Sequence, residues 1–231
     1  MSKKIVFFTG AGISAESGIS TFRDSGGLWE EYKIEDICSA GCLDWNREKT
    51  VEFYDKRREN ISDKVPNKAH LTISKLQKKY PNSIKIVTQN VDDLFEKAGC
   101  KEILHLHGFL REVVCRNRSC NYLYDIAYAK QAEKCPECGD YLRPNVVFFG
   151  EAAPKYWDMD EVLRDSYMTI IIGTSGNVLN VADIIMGSKY SILNNLEKSD
   201  AINDRIFDKV IYGTATNAIN EIEKLIELLL T

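Results

Sequence analysis

The chain has 231 residues, 44% hydrophobic and 28% charged, enough for one sizeable core or for one domain with a small appendage. Its formal net charge of −4 argues against general binding to nucleic acid or to an anionic membrane surface, which favours a basic face. No apolar run reaches the length of a membrane span, and the Lys3-Lys4 start with its short apolar run is a poor signal peptide, so a cytoplasmic protein is expected.

In chain order, residues 4 to 9 read as a short buried strand. The stretch Thr9 to Trp29, TGAGISAESGISTFRDSGGLW, follows it. Gly10, Ala11 and Gly12 therefore fall where a strand turns into a helix, where glycine lets the backbone approach a phosphate. The third glycine of G-x-G-x-x-G is replaced by Ala15, so this loop alone is compatible with a diphosphate cradle or with a plain tight turn. Residues 31 to 65 are charged and helical in places, without a strand pattern. Beyond them, strand-like segments recur at 84 to 88, 102 to 106, 169 to 173, 190 to 196 and 208 to 212. Helical patterns sit between several of these, at Asn67 to Lys79, Val91 to Ala98, Met159 to Ser166 and Val178 to Met186, and Ala215 to Leu230 closes the chain.

Strands alternating with helices predict an α/β fold with a Rossmann-like, doubly wound parallel sheet that binds ligands beyond the carboxyl ends of its strands. Gly10, Gln89 and Gly173 each stand at or just past such an end. With no internal repeat and no low-complexity linker, the expectation is a single catalytic domain over 1–231. Its Rossmann-like part comprises 1–30, 66–108 and 143–231, interrupted by a helical insertion at 31–65 and a metal module at 109–142.

Four of the seven cysteines carry the strongest local signal. Cys115 and Cys120 form a C-x4-C pair, and Cys135-Pro-Glu-Cys138 is a C-x2-C knuckle. In a cytoplasmic chain, four thiolates at such spacings can close a tetrahedron around one structural zinc and staple a segment that has little core of its own.

The histidines are fewer and more ambiguous. His70 begins a helix and is expected to make a structural hydrogen bond. His105 and His107 lie two apart at a strand end, which suits either a metal pair or a single general base with a structural neighbour. The run Thr88-Gln89-Asn90-Val91-Asp92-Asp93 can cap the next helix or hold a polar ligand, and spacing does not choose.

Together these pieces resemble the sirtuins, the NAD-dependent protein lysine deacylases. The resemblance rests on Gly10 to Ile19, Thr21-Phe22-Arg23, Thr88 to Asp92, Leu106-His107-Gly108, the two cysteine pairs, Val146 to Glu151, Gly173-Thr174-Ser175 and Asn195-Leu196-Glu197, all in the family's order and spanning essentially the whole chain. It implies that Gly10, Ala11 and Gly12 hold the NAD diphosphate, with Gln89 and Thr21 alongside, while Gly173, Thr174, Ser175, Asn195, Leu196, Glu197 and Ala215 surround the adenosine half. Ile19, Phe22, Asn90 and Asp92 correspond to the nicotinamide pocket, and Arg23 to the residue that orders the loop over the cofactor. His107, rather than His105, matches the catalytic base. Val147, Phe148, Phe149, Gly150 and Glu151, with residues 176 to 178 opposite, would take the substrate peptide between them as an added strand.

The chemistry so implied begins with departure of nicotinamide and attack of the acyl oxygen on C1′. His107 then draws a proton from the ribose hydroxyls, and water releases free lysine and O-acyl-ADP-ribose. In the helical insertion, Tyr54 and Arg57 are three apart and share a helix face, presenting a phenol and a guanidinium that can bind a carboxylate. They match the Tyr-x-x-Arg of the bacterial desuccinylase and demalonylase branch, so succinyl and malonyl groups are the expected substrates, with some deacetylase activity. The alternatives are a deacetylase, an NAD glycohydrolase or an ADP-ribosyl transferase. The expected partners are acylated lysines of proteins, acted on by a monomer, with neither nucleic acid nor membrane. Phe95 replaces the histidine usual after the Gln-Asn-x-Asp motif, Ser20 and Asn180 replace prolines, and the first knuckle is two residues longer than usual.

Overall fold

The run Ile5–Thr9 forms the central strand β1 and is buried at every position, as a strand covered on both faces must be. The computed structural model describes residues 3–21 and 32–230. After β1 come α1 (Gly12–Ala15), α2 (Ile34–Ile37), α3 (Cys42–Trp45), α4 (Arg47–Ser62) and α5 (Lys68–Lys79). Then follow β2 (Ile84–Thr88), α6 (Leu94–Lys97), β3 (Ile103–His105), β4 (Gly108–Cys115), β5 (Leu123–Asp125) and β6 (Leu142–Val146). The remainder is α7 (Tyr156–Leu163), β7 (Met168–Ile172), α8 (Val181–Ile185), β8 (Tyr190–Asn195), β9 (Lys209–Tyr212) and α9 (Ala215–Leu230).

Six of these strands form one parallel sheet in the order β3-β2-β1-β7-β8-β9. Because successive side chains of a strand point to opposite faces, Ile5 and Phe7 pack on one side and Val6 and Phe8 on the other. The first face is covered by α5 and α9. Helix α9 buries Ala215, Ala218, Ile219, Ile222 and Ile226, a spacing that puts one apolar stripe on the sheet. The second face is covered by α7 and α8 through Met159, Val181, Ile184 and Ile185. Among the described residues, no helix is long and apolar enough to cross a membrane.

Two smaller units sit beside the large sheet. Helices α2, α3 and α4 build a cluster in which Ile37, Leu43, Phe53, Tyr54 and Ile61 pack against Leu110 of β4 and Phe148. Strands β5, β4 and β6 pair antiparallel in that order, and their core contains Val113, Leu142, Cys115 and Cys135.

Several helices begin or end away from where the sequence pattern puts them, for local reasons. The helix expected from Val91 starts only at Leu94, because Asp92 turns back to accept the Leu94 N–H at 3.1 Å. The helix expected at Met159 to Ser166 runs instead over Tyr156–Leu163, and it stops where Arg164 is extended and Asp165 takes φ 57°. Asn180, one of the departures from the family pattern, caps α8 by accepting the Ala182 N–H at 3.1 Å.

The order of the sheet reverses direction between β1 and β7, and there the loop after β1 meets the loop after β7. Gly10 N–H donates to Ile172 O and Gly12 N–H to Gly173 O, each at 2.9 Å. A Cβ on Gly12 would lie 2.6 Å from Gly173 Cα, and one on Gly173 would lie 2.5 Å from Ile13 N, so backbone meets backbone where no side chain fits. Gly12→Ala is therefore expected to cost about 1–3 kcal/mol by overpacking. For a chain of this size that lowers Tm by roughly 3–10 °C in thermal denaturation, whereas an unchanged Tm would contradict the contact.

Candidate functional site

The carboxyl ends of β1, β2, β3, β7 and β8 share one edge of the sheet, and the candidate residues collect along it. In an open α/β sheet, the crevice outside the strand ends at the point of reversal is where a ligand fits. Gly10, Ala11 and Gly12 line it from β1, and Gly173, Thr174 and Ser175 from β7. Two of the three N–H groups of the first loop are already spent on the second, which leaves Ala11 N–H without an acceptor among the described residues. The glycines thus hold two loops together as well as shaping a cradle. Gln89 Nε2 donates to Thr174 Oγ1 at 3.0 Å, and Asn195 Nδ2 donates to Thr174 O at 2.9 Å, joining the ends of β2, β7 and β8. Leu196 and Glu197 are exposed beyond β8, and Ala215 is buried at the start of α9. This row of hydroxyl and amide groups around a glycine-lined crevice fits a dinucleotide.

Asn90 and Asp92 follow β2 and are both buried. Ser14, on α1, links them: Asn90 Nδ2 donates to Ser14 Oγ at 3.0 Å, and Ser14 Oγ donates to Asp92 Oδ2 at 2.9 Å. Burial raises the Asp92 carboxyl, opposed by the Leu94 N–H, the Ser14 hydroxyl and His105. Ile19 is buried close by in the cluster that includes Leu94, and Thr21 is half-buried. Phe22 and Arg23 lie outside the described residues.

The two histidines at the end of β3 differ in hydrogen bonding. His105 Nδ1 is 2.9 Å from Asn90 O and its Nε2 is 2.8 Å from Glu96 Oε1. Both partners are acceptors, so both ring nitrogens carry protons. Burial opposes that charge, but Glu96 and the Asn90 carbonyl outweigh it and hold the pKa above the ordinary value. His107 Nδ1 is 3.1 Å from Gln89 O, which fixes the proton on Nδ1 and leaves Nε2 as an acceptor. Tyr156 Oη lies 3.2 Å from that Nε2. Burial lowers the His107 pKa against the pull of the Gln89 carbonyl, so the ring is neutral near pH 7. A neutral imidazole with one nitrogen anchored and the other facing a hydroxyl is arranged to accept a proton. His70 is structural, as expected. Its Nδ1 meets the Asn67 Oδ1 cap at 3.1 Å, and burial pushes its pKa down to about 3. Phe95 packs edge-on against it at 4.9 Å.

Tyr54 and Arg57 lie on one face of α4. Tyr54 is buried and stacks on Phe148 at 5.4 Å, with its hydroxyl 3.4 Å from Cys38 Sγ. Arg57 is half-buried. Burial lowers its pKa, opposed by the charges of Tyr54, Cys38 and Asp92, so its guanidinium is within electrostatic reach of all three.

In the segment after β6, much of the backbone is already paired. Val147 N–H donates to His107 O at 2.9 Å, Phe149 N–H to Cys38 O at 2.7 Å, and Ala40 N–H to Phe149 O at 2.8 Å. Phe148 is buried, and its N–H meets the carboxylate of Glu151, which also forms a bidentate pair with Arg143 at 2.7 and 2.9 Å. Gly150 keeps both backbone groups free among the described residues. Ser14, Tyr156 and Glu96 escaped the sequence reading, since a lone serine, tyrosine or glutamate has no spacing signal and its partner is distant in the chain.

The four knuckle cysteines converge, with all sulfur atoms within 4.8 Å of one another. Cys115 Sγ is 3.4 Å from Cys138 Sγ, and Cys120 Sγ is 3.8 Å from Cys135 Sγ. A zinc tetrahedron with Zn–S bonds of about 2.3 Å has sulfur edges of about 3.8 Å, so the set fits one four-coordinate ion with no open position.

Residues 10–180 match the Sir2 family. A protein of Campylobacter jejuni strain RM1221 named NAD-dependent protein deacylase is 44% identical over 227 residues, covering 97% of this chain and 96% of that protein. NAD-dependent protein deacylase SIR2rp3 of Trypanosoma brucei brucei is 41% identical, covering 92% of this chain and 90% of that protein. Among solved structures, a complex of a Sir2 homologue with NAD superposes with a TM-score of 0.87 at 33% identity, covering all of this chain and 91% of that one. A mutant Sir2 homologue bound to 2′-O-acetyl ADP ribose gives 0.86, also at 33% identity, over 100% of this chain and 94% of that one.

The purified protein is expected to carry one zinc per chain by elemental analysis. The double variant Cys135→Ser/Cys138→Ser should lose it and become open to proteolysis within residues 109–142. Full metal content in the variant would contradict the four-thiolate site.

Proposed function

This chain belongs to the Sir2 family, and we propose that it works as an NAD-dependent protein lysine deacylase that prefers acyl groups ending in a carboxylate, succinyl and malonyl, over acetyl. The observation that carries the preference is the position of Arg57. Its guanidinium shares a face of α4 with the Tyr54 phenol and feels the charge of Asp92, at the inner end of the crevice. An arginine there offers a fork of donors to a carboxylate that reaches past the reacting centre, and acetyl has nothing to meet it.

Bound NAD supplies an electrophilic ribose carbon when nicotinamide departs. The residues of the chain prepare for that event. The glycine loop, Thr174 and Ser175 hold the diphosphate and adenosine side, with Asn195, Leu196, Glu197 and Ala215 beyond them. Asn90 and Asp92, tied through Ser14 and buried with Ile19, form a polar wall that excludes water from the nicotinamide end. His107 Nε2 takes the proton of a ribose hydroxyl, which would occupy the place of the Tyr156 hydroxyl. Gly150 and the backbone around it pair with the peptide, and the exposed stretch at Val178 would take its other side. The Phe148 and Glu151 side chains hold that segment in shape rather than reaching the peptide.

A panel of succinyl-, malonyl- and acetyl-lysine peptides with NAD, read by mass spectrometry for O-acyl-ADP-ribose, tests the reading. Succinyl-lysine is expected to show the higher kcat/KM. Arg57→Met should lower the succinyl value by about 10–100-fold, the loss of a charge-assisted hydrogen-bonded pair, and reverse the order. Equal or better acetyl turnover by the native protein would contradict the preference. Nicotinamide release at full rate without peptide would favour a glycohydrolase instead.

A further inference from the structure

His107 has a single lone pair to offer. Its Nδ1 carries a proton toward Gln89 O at 3.1 Å, so Nε2 is the one acceptor on the ring. Tyr156 Oη fills that position at 3.2 Å, with the two ring centroids 6.2 Å apart. Burial raises the pKa of the phenol, so the hydroxyl is a protonated donor at neutral pH. Among the described residues, Tyr156 Oη has no hydrogen-bond partner besides His107. The lone pair accepts one good hydrogen bond at a time, so the Tyr156 hydroxyl and a ribose hydroxyl exclude each other at Nε2.

The place of Tyr156 in the fold allows it to let go. It is the first residue of α7, and residues 151–155 join it to the segment that carries Gly150. Lys155 at the N-cap makes no side-chain capping hydrogen bond, and Tyr156 N–H reaches Ala153 O only at 3.5 Å, so the first turn of α7 is loosely tied. The ring itself is half-buried against the cluster that contains Met159 and Val181. Packing thus holds the ring, and the hydroxyl makes its one bond to the base.

We infer that Tyr156 is an internal stand-in for the ribose hydroxyl, a positioning residue that holds His107 Nε2 in its accepting form in the free protein and gives it up when NAD is seated. This inference rests on the proposed role of His107 as the base that meets a ribose hydroxyl. The internal bond competes with the cosubstrate, because only molecules with Nε2 open can seat NAD productively, and the apparent affinity is reduced by that fraction. Tyr156 has left Nε2 before the proton moves, so it contributes nothing to the chemical step. Its loss therefore helps binding and spares kcat, the opposite of losing a catalytic group.

The test is Tyr156→Phe in the full-length protein, which keeps the ring and its packing and removes only the hydroxyl. In a ¹⁵N NMR titration of the free protein, which needs no activity, the His107 pKa is expected to rise by about 0.4–1 pH unit, because the neutral imidazole loses its donor. Burial and the Gln89 carbonyl, which otherwise set that pKa, stay in place. With NAD varied at saturating succinyl-lysine peptide, KM for NAD is expected to fall about 2–10-fold while kcat stays within about twofold of the native value. An unmoved His107 pKa would overturn the contact, and an unchanged or higher KM would overturn the competition. A kcat lowered by about tenfold or more would overturn the stand-in by making the hydroxyl part of the chemistry. Each of these outcomes leaves the deacylase reading intact if the native protein turns over acyl-lysine peptide, whereas no turnover of any such peptide by the native protein would overturn both.

Discussion

Everything at the candidate site depends on two loops being able to touch through their backbones. Where the sheet reverses between β1 and β7, Gly10 and Gly12 press against Gly173, and the hydrogen bonds across this contact fix how the ends of the central strands stand relative to each other. Gln89 and Asn195 then fasten β2 and β8 to the same point through Thr174. A side chain in the contact would part the loops and widen the crevice they line. The glycine pattern is thus primarily a constraint on assembly, and the dinucleotide cradle is its consequence.

The same edge shows how one short segment supports two opposite protonation states. His105 is boxed between two acceptors, and the Glu96 carboxylate makes its charged form the stable one. His107 meets one carbonyl and one hydroxyl in a setting that disfavours charge. The H-x-H spacing is compatible with a metal pair, but His105 has no free lone pair to give a metal. The geometry therefore supports the base at His107 on grounds independent of family resemblance. Among the described residues, the one cluster that suits a metal lies in a separate unit and is saturated by four thiolates.

Much of the fold was legible because its signals are local. The buried strands are short, mostly apolar runs, the cysteine knuckles have metal-ligand spacing, and α9 repeats its apolar residues at helical intervals. The six strands of the parallel sheet start and stop within about two residues of where the pattern puts them, whereas β4, β5 and β6 lie in and beside the cysteine-bearing stretch, where the sequence shows no strand pattern. Helix ends were less legible: Asp92, within the run able to cap the next helix, turns the chain just before Leu94, and Asn180 caps α8, so neither helix starts where its residue pattern begins. Contacts between distant parts of the chain were not legible at all. Nothing in the sequence pairs Ser14 with Asn90 and Asp92, Tyr156 with His107, or Arg116 with Asp44, because each pair is brought together only when the parallel sheet and the zinc module are complete. The side chain of Phe148, within the segment expected to meet the peptide through its backbone, is stacked in the core on Tyr54, a contact no spacing in the sequence reveals.

The central claim is that this edge of the sheet holds one neutral histidine ready to accept a proton beside one that stays charged. Its most direct test is a ¹⁵N and ¹H NMR titration of the two imidazoles in the free protein. The account predicts that His107 titrates below its ordinary 6.5, with Nδ1 protonated in the neutral form, so that base is available at neutral pH and lost as the pH falls through that value. It predicts that His105 titrates above 6.5. A His107 that titrates above 6.5, or a His105 that titrates below it, would contradict it.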